Sequence, residues 1–173
     1  MTQAKNIIRK EHPQDIAAIN EVHKAAFPSD IEARLVDALR ASKRLLVSLV
    51  AEESGRIVGH IAFSPVTIHP THTAHSGVGL APVGVLPDYQ GGGVGRQLIR
   101  QGLEACTRAS FDFVVVLGEP DFYGRFGFAR ASDFGLGNEY GIDEPFMVLA
   151  LREGGIPAAP GTVRYAPEFG LVA

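Results

Sequence analysis

The chain has few of the features that mark secreted, membrane or nucleic-acid-binding proteins. It has one cysteine in 173 residues, so no internal disulfide can form and a reducing compartment is expected. Its net charge is −3, whereas binding to nucleic-acid phosphates needs a basic surface. It has no run of about 18 apolar residues that would span a bilayer. Its first residues contain no apolar segment of a secretory signal. We therefore expect a cytoplasmic protein with no membrane or nucleic-acid partner.

The chain does contain enough apolar sequence for a folded core. Hydrophobic residues make up 46% of it, and its length suits one domain. No internal repeat, low-complexity tract or linker divides it. We expect a single domain over residues 1–173.

Apolar periodicity predicts an α+β order of elements. Two helices come first, followed by a hairpin that turns at Ser54-Gly55. A strand over 78–85, an amphipathic helix and a buried strand over 113–117 then predict a parallel βαβ unit. The first of these strands contains Pro82, which predicts an interruption of its ladder. Further elements are predicted at 119–125 (helix) and at 127–128, 146–151 and 162–165 (strands).

A glycine-rich turn connects the first strand of this unit to its helix. The turn consists of Gln90, Gly91, Gly92, Gly93, Val94, Gly95 and Arg96. Glycines leave backbone N–H groups uncovered, and these N–H groups lie where the positive end of the helix dipole begins. Such a turn is typical of a pyrophosphate site.

Two common nucleotide-binding loops fit this turn poorly. A P-loop needs a lysine after its last glycine, and Arg96 stands there. A dinucleotide-binding fold needs a third glycine where this chain has Leu98, and it needs repeated βαβ units instead of an upstream hairpin. Glu119 stands where that fold has its ribose-binding acid, so an NAD(P)-binding protein is kept as a distant alternative.

The chain resembles the GNAT superfamily of acetyl-CoA-dependent N-acetyltransferases. Three motifs carry the resemblance: V-x-V-x-P at 83–87, Q-x-x-G-x-G at 90–95, and Y-G-R-F-G-F at 123–128, which is similar to the family's Y-x-x-x-G-F signature. The segments 59–66 and 117–120 are similar to a YhbS-like branch. The resemblance covers most of the chain. It implies a mixed, twisted, mostly antiparallel sheet with a central parallel βαβ unit and a splayed strand pair, flanked by helices.

The resemblance also implies that acetyl-CoA is the acetyl donor. The N–H groups from Gly91 to Arg96 would hold its pyrophosphate, and the Arg96 guanidinium would add charge. The backbone of Val83, Gly84 and Val85 would pair with the pantetheine amides like an extra strand. An N–H near Val85 would polarise the thioester carbonyl.

Tyr123 is the candidate acid of the reaction. In the family, a tyrosine at this place protonates the departing thiolate. With an ordinary pKa of about 10, a tyrosine is protonated at neutral pH and can donate. Many members carry a cofactor-contacting asparagine at the end of the preceding strand, where this chain has Leu117-Gly118-Glu119, so that contact is in doubt.

The group that accepts the amine proton is left open by the sequence. Glu119, at the expected mouth of the cofactor slot, is one candidate, and a water relay is another. Glu32 is a candidate for the acceptor site, although it also completes an S-x-x-E capping box with Ser29. His60 is expected to be a satisfied core histidine.

The sequence therefore predicts an N-acetyltransferase that transfers an acetyl group to a primary amine by direct attack. The acceptor would be a small molecule or a peptide or protein amine, and the protein a monomer or homodimer. The alternative is a non-catalytic acyl-CoA-binding sensor or interaction module. No metal site is expected, because the spaced histidines His69, His72 and His75 lie in a predicted loop.

Overall fold

A computed structural model of the protein describes residues 6–70 and 74–171. Within these ranges the strands are β1 (Ile7–Lys10), β2 (Val47–Glu53), β3 (Arg56–His69), β4 (Gly77–Val85), β5 (Phe113–Leu117), β6 (Ala129–Arg130), β7 (Leu136–Asn138), β8 (Phe146–Ala150) and β9 (Gly161–Arg164). The helices are α1 (Ile16–Ala26), α2 (Ile31–Ala41), α3 (Val94–Arg108), α4 (Pro120–Gly124) and α5 (Glu168–Leu171). None of these helices is both long and apolar enough to cross a bilayer.

The described residues divide into two compact units, each built from separate stretches of chain. The first unit contains residues 6–63, 81–102 and 167–171. The second contains residues 64–70, 74–80 and 103–166. The expected single N-acetyltransferase domain over 1–173 stays a prediction.

An antiparallel sheet forms the centre of the first unit. Strand β2 pairs with β1 on one side and with β3 on the other, with Val47 opposite Phe63. The predicted hairpin is confirmed, and its turn has Ser54 and Gly55 at φ values of +51° and +81°. Successive side chains of a strand point to opposite faces of the sheet, so β3 contributes side chains to both faces.

Helices cover the two faces of this sheet differently. On one face, Ile19 of α1 and Val36 of α2 pack with Ala62 of β3 in a buried cluster. On the other face lies α3, whose approach depends on glycine. A Cβ atom at Gly59 of β3 would lie 2.9 Å from the Cδ1 atom of Leu98, and one at Gly102 of α3 would lie 2.5 Å from Cε2 of Phe63. α1 and α2 are therefore separated from the start of α3 by the sheet.

The second unit contains parallel and antiparallel pairs, as expected for a mixed sheet. The start of β4 runs parallel to β5, and β5 runs antiparallel to β8, which also pairs with β6. Strand β9 pairs with β7 in parallel and with the end of β3 antiparallel. The strand predicted to start at Gly127-Phe128 starts two residues later, at Ala129–Arg130, because residues 125–127 form a turn.

The ladder between β4 and β5 ends early. Its pairs are Gly77–Phe113, Val78–Val114 and Gly79–Val115. Strand β5 remains paired with β8 as far as Leu117, whereas β4 has no described β5 partner beyond Gly79. The splayed strand pair and the interruption expected from Pro82 are confirmed.

Candidate active site

The loop after β4 presents open backbone. Gly91 and Gly93 have φ values of +80° and +90°, a left-handed conformation that favours glycine. A Cβ atom built on either residue would meet no described atom within 4 Å. The glycines therefore serve the turn itself and leave space above its N–H groups.

The first turn of α3 supplies further N–H groups. The N–H of Gln97 donates to the carbonyl of Gly93 at 3.0 Å, so the helical hydrogen bonds start at Gly93. The N–H groups of Val94, Gly95 and Arg96 precede that first bond and have no acceptor within the helix. Arg96 is exposed. A diphosphate fits this set of donors, because the helix dipole also favours negative charge there.

Gln90 explains one part of the loop motif in physical terms. Its side-chain Nε2 donates to the carbonyl of Val85 at 2.9 Å. The N–H of Leu86 donates to the carbonyl of Val58 at 2.8 Å. Gln90 thus ties the loop back to the end of β4, a role that the sequence interpretation missed; its predicted cofactor contact stays a prediction.

A cavity of about 290 Å³ adjoins the loop at Gln90, Gly92 and Val94. Glu53 and Asp88 also line it. These two carboxylates would repel a diphosphate in the cavity. The N–H groups of the loop and of the helix start are therefore the more favourable place for it.

Gly84 of β4 lies directly against α1 and the residue that follows it. A Cβ atom at Gly84 would lie 2.9 Å from Nδ1 of His23 and 3.3 Å from Cε2 of Phe27. The missing side chain therefore lets the His23 ring lie directly against the strand. Val83 and Val85, on either side, are half-buried and point to the opposite face.

His23 begins a buried chain of polar groups in the first unit. Its Nε2 lies 2.8 Å from Nδ1 of His60, and Nε2 of His60 lies 2.8 Å from Oγ of Ser48. Ser48 donates to Glu11, whose carboxylate also accepts from Arg40 at 2.9 and 3.0 Å. Both histidine rings are fully buried. His60 is the satisfied core histidine that was expected.

Burial lowers the pKa of both histidines. The pKa of His23 falls to about 3, because burial disfavours the charged ring and the neighbouring His60 and Arg40 add to this. Burial also lowers the pKa of His60, although Glu11 opposes the shift. Both rings are therefore neutral at pH 7. The sequence contains only a weak signal for this pair: one histidine on the buried stripe of α1 and another within a predicted strand.

The second unit contains Tyr123, in α4. Its side chain is 8% exposed and contacts Phe122 and Phe128, with ring centroids 5.0 and 5.8 Å away. Gly118 makes room for the ring, since a Cβ atom there would lie 2.2 Å from Cε2 of Tyr123. Burial raises the pKa of Tyr123. No described residue forms a hydrogen bond with its hydroxyl, so the proton is not committed elsewhere.

The two candidate carboxylates, Glu119 and Glu32, differ in their exposure and in their surroundings. Glu119 is exposed at the N-cap of α4, and its side chain makes no capping bond. For Glu32, the expected capping box is wrong: the N-cap of α2 is Asp30, which places Glu32 one position too early to close the box with Ser29. The Oε2 atom of Glu32 is buried without a hydrogen-bond partner among the described residues. Glu32 therefore has no capping role to explain it.

The remaining candidates give no site. Among the described residues, no group of three or more histidine, cysteine or acidic side chains is placed to hold a metal ion. His72 lies outside these residues. Cys106 is buried, and burial raises the pKa of its thiol to about 12, which makes it a poor nucleophile.

A mixed sheet whose central parallel pair separates, with a glycine loop opening the following helix, defines a GNAT-type acyltransferase. The chain belongs to that family: residues 7–131 match the model described as an acetyltransferase (GNAT) domain. The prediction of an acyltransferase of this family is confirmed.

The relatives agree with this assignment. The chain is 36% identical over 165 residues to the uncharacterized N-acetyltransferase YhbS of Escherichia coli strain K12, and the match covers 94% of this chain and 98% of that protein. The crystal structure of Escherichia coli YhbS in complex with CoA matches with a TM-score of 0.91 at 34% identity, covering 98% and 94% of the two chains. A GNAT acetyltransferase of Brucella melitensis in complex with acetyl-CoA matches with a TM-score of 0.79 at 41% identity, covering 96% and 99%.

The buried histidines predict a loss of stability in mild acid. The pKa of His23 is about 3 in the folded state and 6.5 as its ordinary value, so the unfolded chain binds more protons between these pH values. The free energy of unfolding should therefore decrease as pH falls below about 6.5, by up to about 1.4 kcal/mol per pH unit for each such histidine. Urea unfolding at pH 7, 6 and 5 measures the free energy of unfolding. These pH values lie above the ordinary pKa values of carboxylates. His23→Gln should lose less stability over the same range, and equal losses in both proteins would contradict the assignment.

Proposed function

We propose that the protein transfers the acetyl group of acetyl-CoA to a primary amine by direct attack of the amine on the thioester. The observation that carries the proposal is the loop at 91–96, with its left-handed glycines and the free N–H groups that begin α3. Acetyl-CoA is the donor, as supported by the CoA and acetyl-CoA complexes of two relatives.

The loop and the end of β4 bind different parts of acetyl-CoA. The N–H groups from Gly91 to Arg96 take the diphosphate, with added charge from the Arg96 guanidinium. The backbone of Val83, Gly84 and Val85 takes the pantetheine amides, because the β4–β5 ladder has already ended at Gly79. An N–H near Val85 polarises the thioester carbonyl.

The reaction forms a bond between the amine nitrogen and the acetyl carbon and breaks the bond between that carbon and sulfur. Tyr123 gives its hydroxyl proton to the departing thiolate. The raised pKa keeps the hydroxyl protonated at neutral pH, and no described residue accepts a hydrogen bond from it, so its proton is available to the thiolate. Glu119, as an exposed carboxylate at the start of the same helix, stays a candidate base.

Glu32 binds the acceptor amine in this proposal. A carboxylate with one buried, unpartnered oxygen gains most from a cationic partner, because a buried polar atom without a hydrogen bond costs about 1–3 kcal/mol. The acceptor is a small molecule, or a peptide or protein amine. The monomeric or homodimeric state and the cytoplasmic location stay predictions.

A non-catalytic acyl-CoA sensor is the alternative. Such a sensor would have the same acetyl-CoA site as the proposed acetyltransferase but would not transfer the acetyl group. A panel of spermidine, glucosamine, Nα-acetyl-lysine and a peptide beginning with alanine, with release of free thiol as the readout, separates the two. Binding of acetyl-CoA without acetylation of any of these amines would favour the sensor.

We expect Gly93→Glu to abolish acetyl-CoA binding. Any side chain strains the backbone at a φ of +90°, and a carboxylate repels the diphosphate. Wild-type protein with acetyl-CoA at 100 times its dissociation constant should gain about 2.7 kcal/mol of stability, seen as a shift in Tm that the variant lacks. Gly141→Glu, at another open glycine with a φ of +67°, is the matched control and should keep the shift. Arg96→Glu tests the charge without backbone strain. A full shift in both site variants would disprove the pyrophosphate site.

Tyr123→Phe should lower the rate of acetyl transfer by about 10²–10⁴-fold, because the thiolate loses its general acid. Ring packing against Phe122 and Phe128 should persist, so Tm should change little. Tyr140→Phe removes the hydroxyl of an exposed tyrosine and should leave the rate unchanged. Single-turnover measurements isolate the chemical step. An unchanged rate for Tyr123→Phe under those conditions would remove it from the mechanism.

Glu32→Gln should weaken acceptor binding. Hydrogen bonds to charged groups contribute about 1.5–3 kcal/mol, so kcat/KM for the amine should fall roughly 10–100-fold. The KM for acetyl-CoA should not change. Glu21→Gln, on an exposed carboxylate of α1, is the control. Loss of acetyl-CoA affinity in Glu32→Gln, with amine KM unaltered, would contradict the acceptor role.

A further inference from the structure

Among the described residues of the first unit, a buried side-chain nitrogen of His23 lacks a hydrogen-bond partner. Nδ1 of His23 is buried and forms no hydrogen bond with any described residue. The other ring nitrogen is fixed 2.8 Å from His60. Most buried polar groups are hydrogen-bonded, and each exception calls for a physical explanation.

The hydrogen-bond chain determines which atoms carry protons. Burial would raise the pKa of Glu11, but hydrogen bonds from Arg40 and Ser48 outweigh it and hold the pKa well below its usual range, so its carboxylate only accepts. Ser48 has one proton and donates it to Glu11. Its oxygen must therefore accept from Nε2–H of His60.

The same reasoning continues to His23. A neutral imidazole has one N–H, so Nδ1 of His60 is an acceptor. Nε2 of His23 then carries the proton that it donates to His60. This leaves Nδ1 of His23 with a free lone pair, which makes it a proton acceptor at the end of an ordered chain.

The position of this lone pair points to the reaction. Nδ1 lies against Gly84, one of the three residues proposed to hold the pantetheine arm. The ring is on the sheet face covered by α1 and α2, opposite the side where α3 begins. Glu32, the proposed acceptor residue, belongs to α2, which packs against α1. The lone pair and the proposed amine-binding carboxylate therefore belong to the same helical layer.

We propose that His23 and His60 form the proton relay of the acetyl transfer, in which Nδ1 of His23 takes the proton that the amine nitrogen loses as it bonds to the acetyl carbon. The Nε2 proton of His23 moves to Nδ1 of His60, so His60 carries the positive charge. Tyr123 separately protonates the thiolate. The products are the amide and free CoA, and the relay proton returns to solvent after the amide leaves. The inference rests on the proposed function.

The charges around the relay favour this direction. Nε2 of His60 lies 3.8 Å from Oε1 of Glu11, whereas no carboxylate of the described residues forms a hydrogen bond with His23. Arg40 opposes a positive charge on either ring but is itself paired with Glu11 and Asp37. A proton that arrives at His23 is therefore stabilised by moving on to His60.

The first test measures the protons directly. Nitrogen-15 NMR of the histidine side chains, in unliganded protein at pH 7, should show both rings neutral and protonated on Nε2. His23→Gln and His60→Gln assign the two signals. A proton on Nδ1 of His23 would overturn the relay, whatever the activity of the enzyme.

The second test blocks transfer while keeping the hydrogen bonds. In His60→Gln, the amide oxygen can accept from His23 and the amide nitrogen can donate to Ser48, but an amide does not carry a proton at neutral pH. Single-turnover acetyl transfer to whichever panel amine the wild type acetylates should slow by about 10²-fold or more. The shift in Tm with acetyl-CoA should remain. Phe27→Leu, which alters the packing of the His23 ring without entering the chain, should keep the rate within about threefold.

The outcomes separate the relay from the proposed function. An unchanged rate in His60→Gln, or an equal loss in Phe27→Leu, would overturn the relay while acetyl transfer stands. If wild type binds acetyl-CoA but acetylates no amine, the proposed function fails, and the NMR result alone decides whether the ordered chain exists.

Discussion

The parallel ladder of β4 and β5 stops after Gly79 and Val115, and the donor site depends on where it stops. A strand that stayed paired on both sides would have no free backbone for a ligand. Pro82 lacks the N–H that a continuing ladder would need. Because the backbone beyond Gly79 has no described β5 partner, it is available to pair with the amides of an extended arm. The loop that follows is held to the same strand by Gln90, so the proposed phosphate and amide sites share one support.

Much of this arrangement is readable from local sequence. The hairpin and the amphipathic helix α3 have periods that match one structure, and the continuous apolar run of β5 is typical of a buried parallel strand. The glycine loop is readable because left-handed φ values and a helix start impose residue types at fixed spacing. The ladder interruption is readable from Pro82, since proline removes one hydrogen-bond donor.

Other features depend on contacts that sequence spacing does not contain. The S-x-x-E pattern at Ser29 predicted a capping box, but α2 begins one residue later than that pattern requires. Helix boundaries are ordinarily uncertain by a residue or two. Here one residue decides whether Glu32 can close a capping box with Ser29. His23 and His60 are 37 positions apart, so their contact exists only once α1 has packed on the sheet.

Stability alone gives a poor account of His23. The free Nδ1 of a buried imidazole costs about 1–3 kcal/mol; leucine or methionine at that position would remove this atom, although Nδ1 of His60 would then lose its donor. A neutral ring that must stay uncharged also loses stability in acid. The polar chain behind it, from His60 to Glu11 and Arg40, is hydrogen-bonded, so the deficit lies at Nδ1, on the side of the ring that faces Gly84. Such an unpaired Nδ1, next to the strand that is proposed to hold the thioester arm, is expected of a group that accepts a proton. A hydrogen bond within the fold would have occupied the lone pair that the reaction needs.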